Sequence, residues 1–215
     1  MAKTTIERLL EAYEHRKTEI RDRIREFQNF LKRSDTEVFA ELCFCLCTPQ
    51  SQAIFCWNAV SQMAKRNLLL TGSQDEIAKA LRKVRFRKVK AKYIIEARKV
   101  FMEKGEIAIK KKILSFSGPF EARAWLVRNV KGIGMKEASH FLRNIGLGLN
   151  LAILDRHILG CLEELGVIEC VPKSLTRKIY EDIERRMLDF SRKIKIPMAD
   201  LDLLLWSLKT GFIFK

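Results

Sequence analysis

The sequence predicts an all-α fold, and three observations carry that expectation. Apolar residues recur at helical spacing, beginning with Ile6, Leu9, Leu10 and Tyr13. A capping box, a hydroxyl residue followed three positions later by glutamate, occurs at Thr4 with Glu7, Ser34 with Glu37 and Ser73 with Glu76. No segment alternates apolar and polar residues between hairpin residues as a half-buried strand would.

Taken in order, the first box opens a helix over 5–32 that breaks once, and the second opens a very apolar helix over 35–47. Pro49 suits a first helical position and starts 49–65, and the third box starts 74–83. The spacing then predicts helices over 89–103, 106–116 and, behind Pro119, 119–129. Helices over 135–146, 155–166, 173–193 and 198–209 complete the chain, the last two behind Pro172 and Pro197. No low-complexity linker or fixed-period repeat separates these segments, so two lobes would pack directly together, with the chain passing between them more than once. A cleft between such lobes is the natural home for a site.

Composition nominates a partner. Lys and Arg total 41 against 26 Asp and Glu, a formal charge of +15, which suits a polyanion bound by counterion release; a merely solvated basic surface is the alternative. With 215 residues, 47% of them hydrophobic, a sizeable core is available. No stretch approaches the roughly 20 apolar residues that span a bilayer. The N-terminus lacks the apolar core of a signal peptide. The expectation is a cytoplasmic protein with no membrane partner. Cys43, Cys45, Cys47, Cys56, Cys161 and Cys170 contain no CxxC pair and read as buried reduced thiols.

Chemistry concentrates between 119 and 157. Two helices joined by Val130-Lys131-Gly132-Ile133-Gly134 form a helix-hairpin-helix, whose turn amides and second-helix dipole suit a phosphate oxygen without reading sequence. Purely structural αα-turns also carry such glycines. Lys136 stands in the first turn of the second helix, where a cation opposes the macrodipole and the field favours the neutral, nucleophilic amine. Asp155, nineteen residues on in Leu154-Asp155-Arg156-His157, opens the next helix as a cap and would stay ionised there. An amine and a carboxylate thus flank one helix.

Val130 to Lys136 together with Leu154 to His157 resembles the helix-hairpin-helix DNA glycosylase superfamily, and so does Leu46-Cys47-Thr48-Pro49-Gln50-Ser51-Gln52. The ending, Pro197 to Trp206 followed by Lys209-Thr210-Gly211-Phe212-Ile213-Phe214-Lys215, is similar to the compact archaeal and bacterial 8-oxoguanine DNA glycosylase/AP lyase class. The resemblance implies a two-lobed helix-hairpin-helix glycosylase fold with the active site in the interlobe cleft. One lobe would span 31–149, with the helix-hairpin-helix at about 119–146, and the other would comprise 1–30 plus 150–215. It also implies a monomer acting on double-stranded DNA that contains a damaged base, in a prokaryote and near the nucleoid.

In the mechanism so implied, the nucleotide is flipped out and the Lys136 amine attacks C1′ and displaces the base. A Schiff base follows, and β-elimination cuts the strand, while Asp155 orients the lysine and stabilises the cationic sugar. Base recognition falls to Asp202, Trp206 and Lys215, with Gln50 filling the void or touching a base and Phe86 lining the pocket. DNA contacts fall to Lys131, Gly132, Gly134, Arg156 and His157, and to Arg87 and Lys88 in the basic segment 82–93. No metal is required, although the carbonyls of Arg128, Val130 and Ile133 match positions where relatives hold a monovalent cation. The endonuclease III branch carries a four-cysteine iron–sulfur loop near its C-terminus, and no cysteine follows Cys170, so neither a cluster nor another cofactor is expected. Two alternatives stand beside this reading: a bifunctional, endonuclease III-like glycosylase for another lesion, and a non-catalytic helix-hairpin-helix DNA-binding module.

Overall fold

Helix starts follow the capping signals. The computed structural model describes residues 4–215. Thr4 caps α1 (Thr5–Asn29) and Ser34 caps α2 (Asp35–Cys47), each through a closed capping box, and a 3₁₀ turn at Phe30–Lys32 supplies the break expected within 5–32. After α3 (Ala53–Lys65) and a single helical turn, α4 (Leu68–Thr71), the third closed box at Ser73 starts α5 (Gln74–Ala80). There follow α6 (Arg87–Phe101), a hairpin of β1 (Met102–Glu103) and β2 (Glu106–Ile107), α7 (Ile109–Leu114), α8 (Pro119–Asn129) and α9 (Met135–Asn144). The chain ends with α10 (Arg156–Glu164), α11 (Arg177–Lys193) and α12 (Met198–Thr210).

Four differences from the sequence reading have local causes. The helix expected from Pro49 begins at Ala53, because the Lys90 ammonium takes the carbonyls of Cys47 and Pro49, both at 2.7 Å, and the Ser51 hydroxyl at 3.0 Å. Those bonds hold a loop in which Gln50 has φ 56°, rather than the helical first turn expected for it. The helices expected over 89–103 and 106–116 lose facing ends to the β-hairpin, whose Lys104-Gly105 turn has φ 49° and 88°. The helix expected from 173 begins behind Thr176, whose hydroxyl accepts from the Ile179 amide, and α4 was not foreseen.

Two apolar cores result. The first collects Phe30 to Leu151 around α2, where every residue from Val38 to Cys47 is buried, including Glu41. Phe39 and Phe44, fully buried, contribute about 1.5–3 kcal/mol each. The second core joins α1 to α10, α11 and α12, running from Leu9 to Phe27 and from Ala152 to Ile213. The chain passes between cores around residues 28–30 and again between Leu151 and Ala152. Five of the six cysteines are buried free thiols; Cys170 is exposed, against expectation, because it lies in the loop between α10 and α11. Among the described residues no helix is long and apolar enough to cross a membrane.

Candidate active site

The α8–α9 connection is a tight hairpin. The Ile133 amide donates to the Val130 carbonyl at 3.2 Å, and Gly132 adopts φ 88°. A Cβ at Gly132 would sit 2.3 Å from the Tyr93 ring of α6. Gly132→Ala therefore meets both a left-handed backbone and an aromatic wall, and should lower stability by about 1–3 kcal/mol, read as the denaturation midpoint. An unchanged midpoint would mean that the hairpin does not rest on Tyr93. Lys131, Gly132, Arg87 and Lys88 are exposed around this surface, and Gly134 is half-buried.

Lys136 leaves the first turn of α9 with its side chain 22% exposed and its ammonium 3.0 Å from Glu137. The other Glu137 oxygen accepts from the Gly134 amide at 3.2 Å. Glu137 is thus a neighbour of the amine that the sequence reading missed. Its only signal was glutamate three residues after a glycine cap, a box without the hydroxyl that identifies one. Asp155 caps α10, its Oδ1 accepting from the amides of His157 at 2.8 Å and Ile158 at 2.9 Å. Its Oδ2 makes no hydrogen bond among the described residues.

Lys136 and Asp155 line one cavity of about 910 Å³. Of the other residues singled out from sequence, Gln50, Arg156, His157, Asp202, Trp206 and Lys215 line it too. Phe86 does not: it ends in a left-handed conformation (φ 57°), 55% exposed at the start of α6, where Arg85 lies over its ring. Lys131, Gly132, Gly134, Arg87 and Lys88 also lie outside the lining. Ile54 and Phe55, both exposed and apolar, are lining residues that sequence reasoning passed over, and the cations Lys83 and Arg85 of the basic segment 82–93 line it as well.

The C-terminal residues fold back into this cavity. Gly211, at φ 93°, ends α12, and Phe212 packs edge-on to Trp206 with ring centres 5.4 Å apart. Phe214 continues to Phe44 at 6.2 Å. The Lys215 ammonium lies 3.1 Å from the centre of the Trp57 ring and 5.2 Å from that of Phe44, and it donates to Glu41 at 2.7 Å. Burial pushes the Lys215 amine below its ordinary range, and Glu41 opposes that shift.

Two further side chains from α9, one and two turns beyond Lys136 on its face, complete the lining. His140 is buried, and burial, with Arg143 and Lys136 nearby, drives its imidazole well below the ordinary range, to the neutral form; its Nε2 has no hydrogen-bond partner among the described residues. Arg143 donates to Asp202 at 3.1 Å and to the side-chain Oδ1 of Asn144 at 2.9 Å, while the Asn144 side-chain amide donates to Glu41 at 2.6 Å. A buried polar chain therefore links Lys215 to Asp202. Burial raises the Asp202 carboxyl to about 7, against the pull of Arg143, and its Oδ1 has no hydrogen-bond partner among the described residues. No group of three histidines, cysteines or carboxylates among the described residues is arranged to hold a metal ion.

The same arrangement of chain is found in known proteins. Residues 20–196 match the family model for helix-hairpin-helix 8-oxoguanine DNA glycosylases. An 8-oxoguanine DNA glycosylase/AP lyase of Fusobacterium nucleatum is 43% identical over 204 residues, covering 94% of each chain. The crystal structure of the Methanocaldococcus jannaschii 8-oxoguanine glycosylase/lyase, in complex with a 15mer DNA containing 8-oxoguanine, superposes with a TM-score of 0.89 at 37% identity, over 98% of this chain and 99% of that one. The 8-oxoguanine DNA glycosylase of Thermotoga maritima gives a TM-score of 0.87 at 32% identity, over 98% of both. With its lysine-bearing helix-hairpin-helix, helix-capping aspartate and two-core helical frame, this chain belongs to the helix-hairpin-helix 8-oxoguanine DNA glycosylase family.

Proposed function

We propose that this protein removes 8-oxoguanine from double-stranded DNA and cuts the strand at the resulting site through a Schiff base on Lys136. The observation that carries the reading is that the Lys136 amine and the helix-capping carboxylate of Asp155 line the same cavity, with Trp206, Asp202 and Lys215. A cavity of about 910 Å³ has room for an extruded nucleotide. The Lys136 nitrogen forms a bond to C1′ as the bond from C1′ to the base breaks, and the base leaves with the electron pair and takes up a proton. Sugar-ring opening gives the protonated imine, loss of the C2′ proton expels the 3′ phosphate, and water then frees the lysine. Asp155 stabilises the cationic sugar and the imine.

In this reading Trp206 stacks on the purine, Asp202 accepts from its N–H edge and Lys215 fixes its position, with Gln50 entering the space the nucleotide leaves. Lys131, Arg156 and His157 grip phosphates together with the hairpin amides other than those of Ile133 and Gly134, which donate to Val130 and Glu137; Arg87 and Lys88 extend that surface, and a monovalent cation on the carbonyls of Arg128, Val130 and Ile133 would bridge hairpin and phosphate. The lobes are 31–149 and 1–30 with 150–215, and DNA crosses the cleft between them. In this reading the protein acts as a monomer.

Borohydride trapping on duplexes carrying 8-oxoguanine, thymine glycol or an abasic site tests the proposal. An adduct on the first and third supports it; an adduct only on thymine glycol overturns the lesion assignment, and none on any of the three overturns the chemistry. Asp202 supplies a second expectation. With its carboxyl raised to about 7, it is ionised, and a stronger acceptor, only above that pH. Base excision should rise about tenfold as pH increases through 7, and the rise should vanish in Asp202→Asn. Stability runs the other way: a carboxyl whose folded value exceeds its ordinary 3.8 contributes stability below that value and loses it as pH rises through 7. An excision profile without this limb in wild type would remove Asp202 from base recognition.

A further inference from the structure

The segment Leu151–Leu154 delivers Asp155 to the cavity, and it is buried, outside regular secondary structure and without a partner strand. The Leu151 amide donates to the Gly148 carbonyl and the Ile153 carbonyl accepts from the Asp155 amide, but the remaining peptide groups need side-chain partners or lose their hydrogen bonds. Two residues one turn apart on α11 supply three such bonds. The Ala152 amide donates to Glu184 Oε1 at 2.8 Å, the Tyr180 hydroxyl donates to the Ala152 carbonyl at 2.6 Å, and the Leu154 amide donates to the Tyr180 oxygen at 3.4 Å.

The same Glu184 carboxylate has a second set of partners. Arg123 of α8 donates to it from both guanidinium nitrogens, at 2.6 and 2.8 Å, and also to the Ser139 hydroxyl of α9 at 3.0 Å. Ser139 lies three residues beyond Lys136 on the helix that carries the amine. One buried carboxylate therefore ties the segment ending at Asp155 to the helix pair holding Lys136. Arg123 is 3% exposed and Glu184 5%, so the pair is fully desolvated. As a stabiliser, an ion pair in that setting is a poor choice, because apolar residues of similar volume do as well or better. As a spacer it is apt, because bidentate geometry fixes distance and angle together.

We propose that Tyr180 and Glu184, braced by Arg123, are positioning residues that set the placement of Asp155 relative to the Lys136 amine. The inference rests on Lys136 and Asp155 being the reacting pair, as proposed above. It predicts a loss in the chemical step that binding does not share, since a misplacement of about 1 Å can cost ~10²-fold in rate. Two variants of the full chain test it: Tyr180→Phe, which deletes only a hydroxyl, and the double variant Arg123→Met with Glu184→Leu, which leaves no unpaired buried charge.

Single-turnover release of 8-oxoguanine and strand cleavage at a preformed abasic site should each fall tenfold or more in both variants. Affinity for the lesion duplex should stay within threefold of wild type, and melting should remain above the assay temperature. Rates within threefold of wild type, or affinity and melting falling in step with rate, would overturn the inference. Wild-type protein inactive on 8-oxoguanine would instead overturn the proposed function. Cleavage of the abasic duplex would then still decide whether the brace positions the pair.

Discussion

Lys136→Gln is expected to abolish borohydride trapping and to lower both base release and strand cleavage by at least ~10³-fold, because both steps need a covalent bond to one amine. The substitution should leave the fold alone. The Lys136 ammonium is partly exposed and touches Glu137, which keeps its bond to the Gly134 amide when the lysine is gone, so stability should change by no more than about 0.5 kcal/mol. Affinity for lesion duplex, read by fluorescence anisotropy, should change little. The other lysines nearby are poor substitutes. Lys90 spends its three protons on Cys47, Pro49 and Ser51, and Lys215 is bound by Glu41 between two aromatic rings. Lys83 is exposed, with its ammonium over Phe55. Undiminished trapping in Lys136→Gln would move the nucleophile elsewhere and sink the assignment.

Asp155→Asn should lower single-turnover base excision by ~10²–10³-fold while melting within a few degrees of wild type. Asparagine caps a helix about as well as aspartate, so the amides of His157 and Ile158 keep their acceptor and only the charge is lost. What disappears is the negative charge set beside the cationic sugar and imine, whose effect is large in a cavity that excludes water. Duplex affinity should hold or improve, since a carboxylate facing phosphates repels them. A rate within threefold of wild type would leave Asp155 as a cap and nothing more.

What the sequence showed and what it hid divides by distance along the chain. The capping boxes at Thr4, Ser34 and Ser73 are decided within four residues, and all three were legible. So was the hairpin from Val130 to Gly134, where a left-handed glycine is dictated locally. The start of α3 was misread because Lys90, some forty residues away, captures the carbonyls that Pro49 would otherwise have led into a helix. Phe86, in the basic and aromatic segment 82–93, was expected in the pocket, and its backbone turned it outward. His140 and Arg143 could have been found, since they repeat the face of Lys136 at helical spacing. Glu41, Trp57, Arg123, Tyr180 and Glu184 could not. Each is an ordinary helix residue whose partner arrives from a distant part of the chain, as Glu41 meets Lys215 across 174 positions.

The double passage of the chain between the two cores also orders events in time. A chain emerging from the ribosome presents α1 first, yet α1 packs on α12, and Tyr13 waits 187 residues for its hydrogen bond to Asp200 at 2.6 Å. The core from Phe30 to Leu151, by contrast, is a contiguous stretch that can close before the rest is synthesised. Lys136 is born into that early core and Asp155 into the late one. The amine therefore sits on a scaffold that can close early, whereas the helices that hold its carboxylate come last, and the pair exists only once those helices have folded back over the first.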